Sequence, residues 1–160
     1  MNGGMELYLH MPFCVRKCAY CDFLSFPTDQ ETQNLYTRRL REDIDAMGKK
    51  YGDIPVDTIF IGGGTPSVPD SALIVGIMEH VRKAFHVAEG AEISMEANPG
   101  TVTREKLTDY RRAGINRLSF GLQSANDREL KLLGRIHTWA EFLESFHLAR
   151  ECGFTNINID

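Results

Sequence analysis

Short strand-like segments alternate with longer segments whose apolar residues recur at helical spacing. Period-two alternation and β-branched residues predict five strands, at 7–10, 57–61, 92–96, 117–120 and 155–160. Helical periodicity and capping signals predict five helices, over 33–51, after Pro69, from about Thr103 to Gly114, over 127–133, and between Thr138 and Gly153. In the last of these, Thr138 and Glu141 form the spacing of a capping box.

The regular strand–helix alternation predicts an α/β fold with a mainly parallel sheet. A doubly wound sheet and a (β/α) barrel both fit it, and side-chain parity favours the barrel. In the first strand, Leu7 and Leu9 share one face while Tyr8 and His10 share the other, and the third and fifth strands repeat this division. Buried parallel strands are usually apolar on both faces, so a polar inner face indicates a cavity inside a wide or incomplete barrel.

Five strands are too few to close such a barrel, and the fifth would be an unprotected sheet edge. We therefore expect residues 1–160 to form the N-terminal portion of one domain, an incomplete (β/α) barrel with its first five strands.

Composition excludes some classes of protein. The 160 residues carry a formal net charge of −4, with lysine and arginine scattered among acids, which disfavours a nucleic-acid binder. No apolar stretch approaches the roughly 20 residues of a membrane helix. The first five residues lack the charged and apolar regions of a signal peptide, and Met5 could be the natural start. The expected location is the cytoplasm.

Three of the four cysteines fall within eight residues, as Cys14-Val-Arg-Lys-Cys18-Ala-Tyr-Cys21. This spacing fits an iron–sulfur cluster with one iron left open. It also fits a zinc site completed by His10, or a redox pair made by Cys18 and Cys21. Cys152, far along the chain, is predicted to be a buried thiol.

Other residues able to bind a ligand follow the remaining strands. A loop with the sequence Gly-Gly-Gly-Thr-Pro occupies 62–66, and Glu96, Gln123 and Asp160 stand at the ends of the next three strands. Glycines let a backbone approach a ligand closely and leave its amides and carbonyls free to bond it. Binding sites of parallel α/β folds collect at the carboxyl edge of the sheet, so these groups are expected to form one site with the cysteine loop.

Taken together, these motifs resemble the radical S-adenosylmethionine superfamily. The subgroup is that of oxygen-independent coproporphyrinogen oxidases and their HemW-type heme-chaperone relatives. The motifs that carry the resemblance are Tyr8-Leu-His-Met-Pro-Phe-Cys14, the cysteine triplet, the glycine loop, Glu96-Ala-Asn-Pro, Arg117-Leu-Ser-Phe-Gly-Leu-Gln-Ser, Leu133-Gly-Arg-Ile-His and Asn156-Ile-Asn-Ile-Asp. They span essentially the whole chain.

The resemblance implies a [4Fe–4S] cluster held by Cys14, Cys18 and Cys21, with S-adenosylmethionine on the fourth iron. The residues that it implies for the cofactor pocket are Tyr8, Tyr20, Gly63, Gly64, Thr65, Glu96, Gln123, Arg135 and Asp160. Arg135 is suited to the cofactor carboxylate because its guanidinium presents a fork of donors.

One departure bears on function. Subgroup members that decarboxylate coproporphyrinogen usually carry a fourth cysteine two residues after the third, and here that residue is Phe23. The resemblance therefore implies a heme chaperone that binds heme and delivers it to an acceptor protein. The alternative is a coproporphyrinogen III oxidase that decarboxylates propionates by radical chemistry and needs an electron donor. The two alternatives differ in whether the protein is an enzyme.

Overall fold

The structure, a computed structural model, describes residues 4–160, so the expectation about the extreme N-terminus lies partly outside the described residues. The strands are β1 (Met5–Met11), β2 (Val56–Gly63), β3 (Val87–Ala97), β4 (Arg117–Phe120) and β5 (Asn156–Ile159). The helices are α1 (Gln30–Tyr51), α2 (Ser71–Ala84), α3 (Arg104–Arg112), α4 (Asp127–Leu132) and α5 (Trp139–Glu151). All ten elements were predicted from the sequence. Over residues 4–160, none of the helices has the length and apolar character needed to cross a membrane.

The five strands form one wholly parallel sheet in the order β1-β2-β3-β4-β5. A doubly wound sheet reverses its strand order at a switch point, and this sheet does not. Parallel strands in sequential order, joined by the right-handed crossovers that are general for such pairs, place successive helices on one face. Accordingly, α1 packs on α2, α2 on α3 and α3 on α5. The topology is that of a barrel wall, which confirms the predicted fold class.

The two faces of the sheet differ as the parity of the sequence predicts. Leu9, Ile59, Met95 and Leu118 point into the core beneath the helices and are at most 5% exposed. On the opposite face, the side chain of Tyr8 is 59% exposed. The apolar face is therefore the one that stabilises the sheet, and the polar face is left for ligand contacts.

Capping residues set where the helices begin. The side chains of Asp29, Asp70, Thr103, Asn126 and Thr138 each accept a hydrogen bond from a backbone amide in the first turn of the following helix. At α5, both reciprocal bonds of the capping box are present, as predicted. Each cap satisfies an amide that the helix itself leaves unpaired, typically worth about 1 kcal/mol. The caps thus fix the residues at which the loops at the carboxyl edge of the sheet end and the helices begin.

Candidate functional site

A cavity of about 330 Å³ opens at the carboxyl edge of the sheet. Its lining includes eleven of the twelve residues predicted for the site: Cys14, Cys18, Tyr20, Cys21, Gly63, Gly64, Thr65, Glu96, Gln123, Arg135 and Asp160. Phe23 lines the same cavity. The volume is within the range of about 300–1,000 Å³ typical of small-molecule sites. Five loops that are distant in sequence therefore meet at one site, as parallel strands require.

The cysteine loop is closed at its base by a short parallel pairing. Phe13 and Phe26 form an isolated bridge, the Cys14 amide donates to the Phe26 carbonyl at 3.2 Å, and the Phe26 amide donates to the Pro12 carbonyl at 2.9 Å. Phe13 is 1% exposed and meets the Tyr36 ring edge-on, with ring centroids 5.3 Å apart. The first cysteine is thus fixed directly above the end of β1.

The remainder of the loop rests on the end of α4. The Arg16 guanidinium donates to the Gly134 carbonyl at 2.7 Å, and the Ala19 amide donates to the Leu133 carbonyl at 3.2 Å. The Lys17 ammonium donates to the Phe23 carbonyl at 2.7 Å. These contacts hold Cys18 and Cys21 over the cavity although the segment has no regular secondary structure.

The glycine loop differs from its expected chemistry in one respect. The Gly63 amide donates to the Glu96 carboxylate at 3.0 Å, the Gly64 amide to the Met11 carbonyl at 2.8 Å, and the Thr65 amide to the Phe13 carbonyl at 2.6 Å. The expectation that these amides are free to bond a ligand is therefore wrong, because all three bond within the protein. A ligand on this loop would meet carbonyl oxygens, which accept from a donor such as an ammonium.

Two of the glycines are required by the space around them. Gly63 has φ of +118°, and a Cβ there would lie 2.5 Å from the His10 ring. A Cβ on Gly64 would lie 2.6 Å from the Phe13 carbonyl oxygen. The loop can therefore lie against the cysteine segment only without side chains.

Two carboxylates face the cavity. Burial raises the pKa of Glu96, the Gly63 amide opposes this, and the negative charge of Asp160 raises the pKa further. The Asp160 carboxylate accepts from the Ser119 hydroxyl at 3.2 Å and from the Asn158 side-chain amide at 2.7 Å. Both carboxylates line the cavity and can accept hydrogen bonds from hydroxyl or ammonium donors.

Arg135 connects several walls of the cavity. Its guanidinium donates to the Cys18 sulfur at 3.5 Å, to the Tyr20 hydroxyl at 3.4 Å and to the Asn98 side-chain oxygen at 2.8 Å, and it also bonds the Gly121 carbonyl. Its Nε is buried without a partner among the described residues. Gly134, at φ +76°, ends α4 and turns the chain so that this side chain enters the site.

Gln123 has φ of +72° and is the one non-glycine residue with positive φ in residues 4–160. Its amide donates to a main-chain oxygen of Asp160 at 2.7 Å, which joins the ends of β4 and β5. Backbone in this sparsely populated region costs of order 1–3 kcal/mol and clusters at functional sites. The strained turn directs the strand end toward the cavity.

The two predicted tyrosines are placed differently. Tyr20 lies in the cavity wall beside Arg135, and burial raises the pKa of its hydroxyl. Tyr8 lies one layer below on the polar face of the sheet, outside the cavity lining, and its ring stacks on Phe60 with centroids 6.1 Å apart. The structure therefore brings Tyr20, and not Tyr8, directly into the site.

The alternatives to a cluster fit this geometry poorly. His10, the fourth ligand needed for zinc, has both ring nitrogens engaged: Nε2 donates to the Leu24 carbonyl at 2.9 Å, and Nδ1 is 3.1 Å from the Tyr8 hydroxyl. Within residues 4–160, no three Cys, His, Asp or Glu side chains converge as ligands of one ion would. A cluster holds its thiolates farther apart than a single ion does, since each thiolate bonds a different iron. The segment 18–21 is a turn, not the start of a helix as a redox pair requires.

Sequence reasoning missed two residues that organise the site. Asn98 bonds Arg135, Thr65 Oγ1 and the Ser67 hydroxyl, although the sequence marked it only as part of a motif. Lys106, on α3, donates to three loop carbonyls. Asn98 shares strand parity with Glu96, and that parity was the available signal; a helical lysine offers none.

A sheet of this topology with three thiols, a glycine loop and acidic strand ends at one edge defines a cofactor-binding (β/α) barrel wall. The chain belongs to the radical SAM superfamily, whose family model matches residues 8–160. Membership in this superfamily implies a [4Fe–4S] cluster and S-adenosylmethionine.

Individual proteins of this superfamily are similar to the chain over nearly all of its length. Heme chaperone HemW from Escherichia coli is 43% identical, and that from Haemophilus influenzae 39% identical, each over 98% of this chain. The chain spans 42% of the length of both relatives. The solved structure of coproporphyrinogen III oxidase (HemN) from Escherichia coli superimposes with a TM-score of 0.91 at 31% identity, covering 100% of this chain and 37% of that one.

Proposed function

We propose that Cys14, Cys18 and Cys21 hold a [4Fe–4S] cluster and that the cavity beside them binds S-adenosylmethionine. The donor set fits this pair of groups, because three thiols supply three of four iron ligands and leave one iron for a cofactor. The buried, unpartnered Nε of Arg135 is a donor that a bound anionic group would satisfy. When bound, the cluster and cofactor would together supply one-electron chemistry or serve a regulatory role.

The protein's own groups would bind and orient the cofactor. Arg135 would pair with its carboxylate, carbonyl oxygens of Gly63 and Gly64 would accept from its ammonium, and Asp160 would accept from ribose hydroxyls. Glu96, which lines the cavity, is held in place by the hydrogen bond from the Gly63 amide. Tyr20 would close the side near Cys18, and Gln123 would border the adenosine end. Tyr8 would lie beneath the pocket, on the polar face of the sheet.

We further propose that the protein is a heme chaperone of the cytoplasm, which binds heme and passes it to an acceptor protein. Phe23 carries this proposal. It is 67% exposed at the cavity and stands where the subgroup's decarboxylating members have a fourth cysteine. The identity of 43% to a heme chaperone supports it. We propose that residues 1–160 are the N-terminal portion of the radical SAM core domain and that other residues complete the heme site.

A heme titration into the anaerobically reconstituted full-length protein tests this proposal. Saturable, near-stoichiometric binding, followed in the Soret region, is the expected result. A matched sample with serine at Cys14, Cys18 and Cys21 shows whether heme binding depends on the cluster. Linear, unsaturated absorbance changes with both samples would mean that the protein does not bind heme specifically.

A coproporphyrinogen III oxidase is the second candidate, supported by the TM-score of 0.91 to HemN. It predicts that dithionite, S-adenosylmethionine and coproporphyrinogen III together give vinyl products in step with 5′-deoxyadenosine. Slow cofactor cleavage without porphyrinogen turnover would exclude it. The same assay with a Phe23→Cys variant tests whether this residue determines which of the two functions the protein has.

A further inference from the structure

A continuous series of hydrogen bonds joins two of the three clustered cysteines through one residue, Asn98. From Cys14 the series passes to the Thr65 hydroxyl at 3.8 Å and on to the Asn98 side-chain amide at 3.0 Å. From Asn98 it passes to Arg135 at 2.8 Å and then to Cys18 at 3.5 Å. We call this series, Cys14–Thr65–Asn98–Arg135–Cys18, the thiol bridge.

The direction of each bond in the thiol bridge follows from the chemistry of its members. Arg135 has only donors, so the Asn98 atom that faces it must be the oxygen. The Asn98 nitrogen therefore faces Thr65 and donates to the hydroxyl oxygen. The hydroxyl hydrogen is then directed elsewhere, and the neighbouring acceptor is the Cys14 sulfur. A cysteine that binds iron has lost its proton, so Thr65 is the only possible donor in that pair.

Asn98 is itself held firmly by its backbone. Its amide donates to the Ser67 hydroxyl at 3.2 Å, and its carbonyl accepts from the Thr101 hydroxyl at 2.8 Å. The Lys106 ammonium donates to the carbonyls of Ser67, Val68 and Thr101 at 2.8, 3.1 and 3.4 Å. The side-chain amide of Asn98 therefore has a fixed position between the glycine loop and Arg135.

Hydrogen bonds and positive charge near cluster sulfurs stabilise the reduced cluster, which carries one more negative charge. Bonds in series also polarise one another, so Arg135 strengthens the donor at Thr65 through Asn98. We propose that Asn98 is a positioning residue that raises the reduction potential of the cluster by directing two donors onto two of its thiolates. The inference rests on the cluster proposed above.

Reduction potentials of the reconstituted protein without S-adenosylmethionine, followed by electron paramagnetic resonance, test this role. Asn98→Leu keeps the size and removes both side-chain bonds, and Thr65→Val removes the hydroxyl that donates to Cys14 and accepts from Asn98. Each is expected to lower the equilibrium constant for one-electron reduction by about tenfold, ~59 mV. In the double variant, the reduction potential should fall by less than the sum of the two single-variant decreases, because both substitutions act through the same hydroxyl.

The control is Thr108→Val, the same substitution on α3 at a hydroxyl that donates to the Arg104 carbonyl and contacts no member of the thiol bridge. It should reduce stability and leave the potential unchanged. Thr65→Ser keeps the hydroxyl and should therefore have the wild-type potential. The comparison of Thr65→Val with Thr65→Ser tests the inference even if Asn98→Leu does not bind iron. Equal potentials for Thr65→Val, Thr65→Ser and Thr108→Val would overturn the inference. Absence of iron and sulfide from the wild-type protein would instead contradict the proposed cluster.

Discussion

The Gly63 amide donates to the Glu96 carboxylate at 3.0 Å, and this bond joins the end of β2 to the end of β3. It connects the two motifs that the sequence marks most clearly on these strands. The same glycine lies against His10 of β1, so three neighbouring strands meet at one backbone position. The shape of the cavity and the ionisation of Glu96 therefore depend on the same contact.

Substituting Gly63 with alanine is expected to destabilise the fold by roughly 3 kcal/mol or more, because strained φ adds to overpacking. The new Cβ would lie 2.5 Å from the His10 ring at φ +118°. Gly100→Ala is the matched control, since its φ is +79° but no atom lies within 4 Å of the added Cβ. Urea denaturation of both variants should show the larger loss for Gly63→Ala; equal losses would mean that contact with His10 is unimportant.

Glu96 should make stability depend on pH. Burial raises its pKa in the folded state above the ordinary value of 4.5, so between these two pKa values the folded protein binds more protons than the unfolded chain. Stability from this group is therefore fully present below pH 4.5 and falls as pH rises through the folded-state pKa. Glu96→Gln should match the wild type at acidic pH and become relatively more stable toward neutral pH.

Urea denaturation between pH 4 and pH 8 measures this difference. Glu89→Gln, at an exposed position of the same strand, should show no comparable trend. A Glu96→Gln variant that loses stability relative to wild type as pH rises would contradict the burial argument. That result would mean that the bond from Gly63 outweighs desolvation.

Most of the fold follows from local patterns. Parity along β1 and β3 distinguished the core face from the polar face, and the capping box at Thr138 located α5. These features depend on residues close in sequence. The position of Tyr8 below the cavity and the bonding of the glycine-loop amides did not follow, because both depend on how separate strands are placed side by side. The role of Asn98 needs contacts up to 37 residues apart, which no local pattern encodes.

Serine substitutions should distinguish the clustered cysteines from Cys152. The Sγ of Cys152 lies 3.9 Å from the Arg104 carbonyl and takes no part in the cavity. After anaerobic reconstitution, each of Cys14→Ser, Cys18→Ser and Cys21→Ser should lose most of the iron and acid-labile sulfide, and Cys152→Ser should keep both. Zinc at one equivalent with no sulfide in the wild type would overturn the cluster assignment.

Arg135→Lys should weaken S-adenosylmethionine binding by about 10- to 100-fold, the loss of about 1.4–3 kcal/mol expected for one charge-assisted, bidentate contact. Lysine keeps the charge but has a single compact donor group, so it cannot reach Cys18, Tyr20 and Asn98 together as the guanidinium does. Equilibrium binding to the reconstituted protein measures the effect.

The control for this substitution is Arg16→Lys at the rim of the same cavity. Arg16 makes one bond, to the Gly134 carbonyl at 2.7 Å, and a lysine ammonium can also donate to a carbonyl. The control should therefore bind the cofactor as the wild type does. Unchanged binding in both variants would mean that net positive charge alone attracts the cofactor, whereas loss in Arg135→Lys alone requires the planar fork at that one position.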